Sequence, residues 1–274
     1  MDAIAQMQET DIMTILLPTI STFVPLLEPK REEILNARKT FKYGNTDRHQ
    51  LDVYYPPPPP SGGRLTNPSP ILLYIYGGGF VSGEKTLPTP ADLAYGNVGL
   101  YFASHGFVTI IPDYRLAPQT TYPGPAEDLR DALAWVVAHP EHLGDSADTS
   151  SVFFLGHSAG GTHTMTLLLE PSILASAPGL AKRIKGAAIA STPFHFDLGE
   201  AGGGADLALI TCERDPEWFK IVLRDFHKEL GERKVESKLV VADVHTHISF
   251  SFALGTGQGE KWAEEIVEWA RAQL

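Results

Sequence analysis

Residues 151–161, SVFFLGHSAGG, constrain the fold of this chain more than any other stretch. Val152, Phe153, Phe154 and Leu155 form an apolar run with the composition of a buried strand. Gly156-His157-Ser158-Ala159-Gly160 follows and matches G-x-S-x-G. Residues 161–169, GTHTMTLLL, then read as a helix. Strand, tight turn and helix in that order are the context in which the five-residue pattern holds a serine at the tip of a strained turn. The residues two positions to either side must be small for the chain to close so tightly, and both are glycine. Ser158 Oγ then stands clear of the sheet, and the Ala159 N–H is turned outward with it. A glycine-rich strand-to-helix turn carrying an ordinary serine is the competing reading, and only the rest of the chain sets it aside.

The remaining apolar runs extend the same architecture. Residues 71–76 (ILLYIY), 107–112 (FVTIIP), 185–192 (KGAAIAST), 207–212 (LALITC) and 237–244 (SKLVVADV) read as strands. Runs this continuous belong to a parallel sheet covered on both faces. Helical patterns lie between them, at 91–105, 126–138, about 216–230 and 258–272. Residues 40–44 and 50–55, joined by Asn45-Thr46-Asp47, read as a hairpin. The alternation predicts an α/β fold: a mostly parallel central sheet of about eight strands with helices on both faces. Residues 1–38 are predicted as helical pieces broken at Pro18, Pro25 and Pro29, a small cap segment ahead of a main domain spanning 39–274. The proline- and glycine-rich stretch 56–70 reads as a stiff surface connection.

Composition narrows the partners. With 33 acidic against 22 basic residues, the net charge of −11 disfavours nucleic acid or an anionic membrane surface, since both need a basic face. One cysteine, Cys212, precludes an intrachain disulfide and suits a reducing compartment, so a cytoplasmic location is expected. The N-terminus lacks the basic region of a secretory signal, and Pro18 and Pro25 interrupt the apolar stretch 12–27, so no membrane span is expected. No cofactor or metal is expected. The glycine run 77–79 lacks the lysine of a phosphate-binding loop, and His245 and His247 lack a third ligand.

In a sheet of this kind ligands bind beyond the carboxyl ends of the strands. Gly77, Gly78 and Gly79, Ser158, Asp215 and His247 each follow such an end. A serine hydroxyl is a poor nucleophile at neutral pH and needs a base in hydrogen-bond reach, itself oriented by an acid. His157 and His163 flank the turn and are expected to point away from Ser158 Oγ. His195 has no acid beside it. His245 and His247, one residue apart after the last strand, remain as equal candidates for the base. For the acid, Asp215 precedes Glu213 because it lies in the turn after a strand. Asp215 also reads as a helix N-cap, with Pro216 at the first helical position. Asp113 and Arg115 are expected to pair and hold their loop, and Asp128 and Asp131 to lie on the wet face of their helix.

Four motifs, in order, carry a resemblance. Tyr76-Gly77-Gly78-Gly79-Phe80, Asp113-Tyr114-Arg115-Leu116-Ala117-Pro118, Tyr122-Pro123 and Gly156-His157-Ser158-Ala159-Gly160-Gly161 together resemble the hormone-sensitive-lipase-like branch of the α/β hydrolases, which includes carboxylesterases and kynurenine formamidase-like enzymes. The likeness covers about residues 40–270, and the order serine, acid, histidine is that of the fold. It implies Ser158 as nucleophile, Asp215 as acid, and the backbone of Gly78, Gly79 and Ala159 as oxyanion-hole donors. His247-Ile248-Ser249 looks like the H-I-S that carries the base in some relatives, which favours His247. Tyr76 stands where the family's glycine loop has histidine. The short segment 193–206 implies a reduced cap, leaving the pocket open or completed by a second copy in a homodimer. The expected activity is cleavage of small carboxylic esters through an acyl-enzyme. The rivals are arylformamidase or amidase activity, to which Glu217 after Asp215-Pro216 points, and a non-catalytic small-molecule receptor on the same scaffold.

Overall fold

The computed structural model describes residues 1–58, 68–193 and 205–274. Most of the loop 56–70 and of the segment 193–206, with His195, lies outside the described residues. All eight expected strands form: β1 (Arg38–Lys42), β2 (Gln50–Tyr54), β3 (Ser69–Ile75), β4 (Val108–Pro112), β5 (Ala147–His157), β6 (Ile184–Ala190), β7 (Asp206–Arg214) and β8 (Ser237–Thr246). They make one sheet in the order β1-β2-β4-β3-β5-β6-β7-β8. The β1–β2 and β2–β4 pairs are antiparallel, and every pair from β4 through β3 to β8 is parallel. Every residue of β3 and β4 is buried, as their unbroken apolar sequences require.

The helices are α1 (Asp2–Ala5), α2 (Ile12–Leu27), α3 (Arg31–Asn36), α4 (Gly96–Ser104), α5 (Gly124–Ala138), α6 (Ala159–Leu169), α7 (Pro171–Ala175), α8 (Glu217–Glu232), α9 (Ser249–Phe252) and α10 (Lys261–Ala272). A relay of edge-on rings, Phe102 to Phe107 to Phe153 to Trp269, ties α4 and α10 to one face of the sheet. Successive strand residues point to opposite faces, so Phe154 turns to the other side from Phe153. On α5, Leu129, Leu133 and Val136 recur at helical spacing and are fully buried.

The N-terminal segment departs from expectation. Pro18 and Pro25 do not break α2, which runs through both. Each proline removes a backbone bond to the carbonyl four residues back and costs about 3 kcal/mol in a helix interior. Those carbonyls belong to Thr14 and Ser21, both exposed, so water can take them. The opposite side buries Ile15, Phe23 and Leu27, and that burial outweighs the loss. With the turn after it and α3, the helical run Ile12–Asn36 is long and apolar enough, by length and composition alone, to cross a membrane. Its inner side is packed on the body of the protein: Phe23, together with Ile4 of α1, clusters with Phe252, Ala253, Ala91 and Ala94.

The acidic residues around α5 also differ from expectation. Asp128 is fully buried rather than solvated. It takes the Arg115 guanidinium at 2.6–3.0 Å and the Arg115 N–H at 2.8 Å, with His49 Nε2 3.2 Å away. Arg115 therefore pairs with Asp128 and not with Asp113. A carboxylate withdrawn from water needs several charge-assisted bonds, and the α5 turn facing Arg115 supplies the geometry.

Two buried histidines make stability depend on pH. Burial among Phe80 and Tyr114 pushes His163 down to about 4, and burial beside His247 pushes His157 well below its ordinary value. Both stay neutral in the fold, while the unfolded chain takes up protons below pH 6.5. Stability is therefore held above pH 6.5 and lost as pH falls from 6.5 toward 4, by roughly 3 kcal/mol for His163 alone. Urea midpoints measured at pH 7 and pH 5 should fall accordingly, and His163→Gln should shed a share of that dependence. A flat stability between those pH values would contradict it.

Candidate active site

Ser158 lies between β5 and α6 at φ 52° and ψ −126°, a strained conformation for a residue with a side chain. Three close approaches hold it there. Its N–H donates to the Ala190 carbonyl at 2.9 Å, tying the turn to β6. A Cβ on Gly160 would strike the carbonyls of Ile75 and Tyr76, so α6 enters flush against the end of β3. A Cβ on Gly156 would come 2.7 Å from Gly161 Cα, across the turn itself. The two glycines of the motif are therefore spacers between backbones, as the sequence required.

His247 follows β8 and closes on Ser158 from the other side. Its Nε2 is 3.0 Å from Ser158 Oγ, and its Nδ1 is 2.9 Å from Asp215 Oδ1. Ser158, Asp215 and His247 are all buried, at 9%, 1% and 1% exposure. Asp215 ends the β7 turn, where its other oxygen accepts the Ser191 hydroxyl at 2.5 Å and the Cys212 N–H at 2.9 Å. Asp215 does not cap α8: Pro216 occupies that position and the helix begins at Glu217. Its carboxylate is spent on the histidine instead. Facing an acceptor at Nδ1, the imidazole carries its proton there and leaves Nε2 as a base toward the serine hydroxyl.

The sequence left His245 and His247 equal until the resemblance was weighed, and the geometry separates them. His245 bonds Ser249 Oγ at 3.0 Å and the Gly259 carbonyl at 2.7 Å, which fixes the loop after β8. Glu213 is exposed and accepts the Val244 N–H at 2.5 Å. Ser191 was not singled out from sequence. Its φ of 45° and its bond to Asp215 mark it as the orienter of the carboxylate, and only its place at the end of a strand signalled it. Phe219 lies tilted over His247 with centroids 4.5 Å apart, Trp218 stacks on Phe219 at 3.7 Å, and His157 stands 4.8 Å away on another side.

The glycine loop arrives from β3. A Cβ on Gly77 would stand 2.8 Å from Ser158 Cβ, so the loop touches the serine directly. Gly78 and Gly79 have φ of 143° and 61°, and the Gly78 carbonyl accepts both the N–H and the hydroxyl of Ser82. Tyr76 braces the loop. Its hydroxyl donates to Asp113 at 2.6 Å and accepts from Arg48 at 3.0 Å. Arg48 also holds the carbonyls of Gly83 and Tyr114. Asp113, expected beside Arg115, is thus part of this brace. On the opposite side Ala159 opens α6, whose first N–H groups have no intrahelical acceptor and favour negative charge. A cavity of about 700 Å³ lies at the other end of β7 and β8, against Asp206, His227 and Trp269, and holds none of these groups.

Comparison with known proteins agrees with the fold. Residues 51–170 match the BD-FAE family. A non-reducing polyketide synthase of Aspergillus calidoustus is 33% identical over 172 residues, 59% of this chain and 6% of that protein. Esterase LipI of Mycobacterium tuberculosis is 36% identical over 94 residues, 34% of this chain and 27% of that protein. The chain thus spans well under a third of the length of these relatives. Among solved structures, a hyperthermophilic esterase from Pyrobaculum calidifontis superposes with a TM-score of 0.67 at 18% identity, covering 98% of this chain and 96% of the other. By its sheet, its strand–turn–helix serine and this superposition, the chain has the fold of these esterases, and over residues 51–170 it is similar to the BD-FAE family.

Proposed function

We infer that the protein is a serine hydrolase that cleaves small carboxylic esters, with Ser158 as nucleophile, His247 as base and Asp215 as orienting acid. One observation carries the reading: the buried relay from Ser158 Oγ to His247 Nε2, and from His247 Nδ1 to Asp215, at 3.0 and 2.9 Å. As Oγ attacks the ester carbonyl, His247 takes the hydroxyl proton and passes it to the leaving alcohol. Water then gives a proton to His247 as its oxygen attacks the acyl carbon, and the acid leaves as the bond to Ser158 Oγ breaks and His247 returns that proton to Oγ. The carbonyl oxygen, negative in both tetrahedral intermediates, is assigned to the N–H groups of Gly78, Gly79 and Ala159. Trp218 and Phe80, each part-exposed, offer apolar contact for the substrate.

The formamidase reading loses its support, since Glu217 points outward and pairs with Lys220 and Arg224. The receptor reading leaves the relay without a purpose. Residues 1–38 are assigned as the cap over a catalytic domain of residues 39–274. The packing of Ile4 and Phe23 with Phe252, and of Ile248 beside them, supports that assignment, because Ile248 adjoins His247. The single buried Cys212 supports a cytoplasmic site of action.

An acyl-chain series of nitrophenyl esters, run alongside N-formylkynurenine, tests the substrate class. Ester turnover should exceed that of the formamide, and the reverse order would replace the esterase reading. Ser158→Ala should fold normally and lose about 10⁶ in kcat. His247→Gln should be nearly as damaging, whereas His245→Gln should cost stability and little rate. A dead His245 variant beside an active His247 variant would reassign the base.

Asp215→Asn should keep substrate binding and lose about 10⁴ in kcat, because the imidazole then loses the acceptor that sets its tautomer. Glu213→Gln should leave the rate unchanged. The reverse pattern would move the acid to Glu213.

The glycine loop gives a graded expectation. A Cβ added at Gly78 would meet the Ser82 carbonyl, while one at Gly79 would meet nothing within 4 Å and carry only the strain of φ 61°. Gly78→Ala should therefore lose at least about 10² in kcat, the worth of one oxyanion donor, and Gly79→Ala less. Gly231→Ala, in open space on α8, is the control. Unchanged kinetics in both loop variants would place the oxyanion elsewhere.

A further inference from the structure

We propose that His139, Glu141 and His142, in the turn after α5, form a binding site for a divalent transition ion of the zinc type. The sequence His139-Pro140-Glu141-His142 lacks the spacing of a familiar metal motif, and the three side chains converge only because the turn folds back on itself. The His142 N–H donates to the His139 carbonyl at 3.1 Å and the Leu143 N–H to the Pro140 carbonyl at 3.0 Å. This brings a ligand atom from each side chain within 4.8 Å of the others. His139 Nδ1 is 3.1 Å and His142 Nε2 3.8 Å from the same Glu141 oxygen. Zinc–ligand bonds of 2.0–2.1 Å in a tetrahedron set neighbouring ligands about 3.3 Å apart, so two edges of the face already have nearly the required length.

Three further features favour a cation here. The rings are held before any ion arrives. Trp135 packs against both imidazoles, at 5.0 Å from His139 and 5.7 Å from His142, and Phe41 stacks on His142 at 4.6 Å. Tyr55 Oη donates to the His142 carbonyl at 2.8 Å, fixing the turn to the residue that follows β2. His139 also caps the C-terminal end of α5, where the helix dipole is negative. Two imidazoles and one carboxylate form a borderline ligand set, which selects zinc-like ions over calcium or magnesium, whose partners are oxygens. The side chains are about half exposed, so a hydrated ion can enter and keep water as its fourth ligand. The site lies about 22 Å along α5 from the end nearest Ser158, by the rise of fifteen helical residues. Its effect is therefore on the stability of this corner and not on the ester chemistry.

Tag-free, chelator-treated protein titrated calorimetrically with zinc chloride tests the site. One ion should bind per chain, and the thermal midpoint should rise with it, while magnesium chloride should give neither effect. His139→Ala combined with His142→Ala should lose at least tenfold in zinc affinity. Glu141→Gln, which leaves the ring stack in place, should weaken binding in the same direction and retain the zinc-free midpoint of the parent. His105→Ala should bind as the parent does. Ester hydrolysis should be unchanged by stoichiometric zinc. Absence of one-to-one binding in the parent, or binding equal to the parent's in the double variant and in Glu141→Gln, would overturn the proposal. Equal inhibition of parent and double variant would also overturn it, by placing the ion at His245 or His247.

Discussion

The structure depends most on the close approach of three backbones at the serine turn. Ser158 holds a φ of 52°, a conformation that costs of order 1–3 kcal/mol for a residue with a side chain and persists only where its surroundings over-determine it. Here β3, β6 and α6 all do so. The Ser158 N–H is fixed by the Ala190 carbonyl, and Gly160 lies flush against the carbonyl end of β3. Once that turn is set, the parallel sheet brings the ends of β7 and β8 to the same edge, and Asp215 and His247 arrive beside it. The relay is thus a consequence of strand order: residues 57 and 89 positions beyond the serine meet it because β6, β7 and β8 lie side by side.

The polar groups around the site are divided between chemistry and support. Tyr76, Asp113 and Arg48 form a satisfied network under the glycine loop, so the tyrosine replaces a histidine as brace without offering its hydroxyl to a substrate. Ser191 performs the equivalent service for Asp215. Its positive φ again marks strain at a point where a side chain must be aimed. Both supports are the kind that leaves binding intact and erodes rate when loosened, since they act on geometry through another residue.

Much of this was legible in the sequence because it is written in local patterns. The eight strands are short apolar runs between breakers, and the serine turn announces itself by its paired glycines. What escaped was decided by contacts between distant residues. The burial of Asp128 depends on Arg115 reaching back from another loop, and helical spacing alone placed it in water. Pro18 and Pro25 argue against a continuous helix by local rules, yet the tertiary burial of Ile15, Phe23 and Leu27 overrides them. Asp215 carried an N-cap signal and instead lies 2.9 Å from His247 Nδ1, because a carboxylate at a helix start has two possible partners and only the fold selects one. His245 and His247 are indistinguishable by position, and their separation required the Gly259 carbonyl and the Asp215 carboxylate to be seen on opposite sides of one loop.

Ser158 is proposed as an activated nucleophile. That role is tested most directly by treating the protein with a small fluorophosphonate and measuring its intact mass and the labelled peptide. The expected result is one adduct per chain, on Ser158, formed at a rate that collapses when His247 is replaced and absent when Ser158 is alanine. No adduct on a folded chain, or an adduct that persists in the alanine variant, would contradict it.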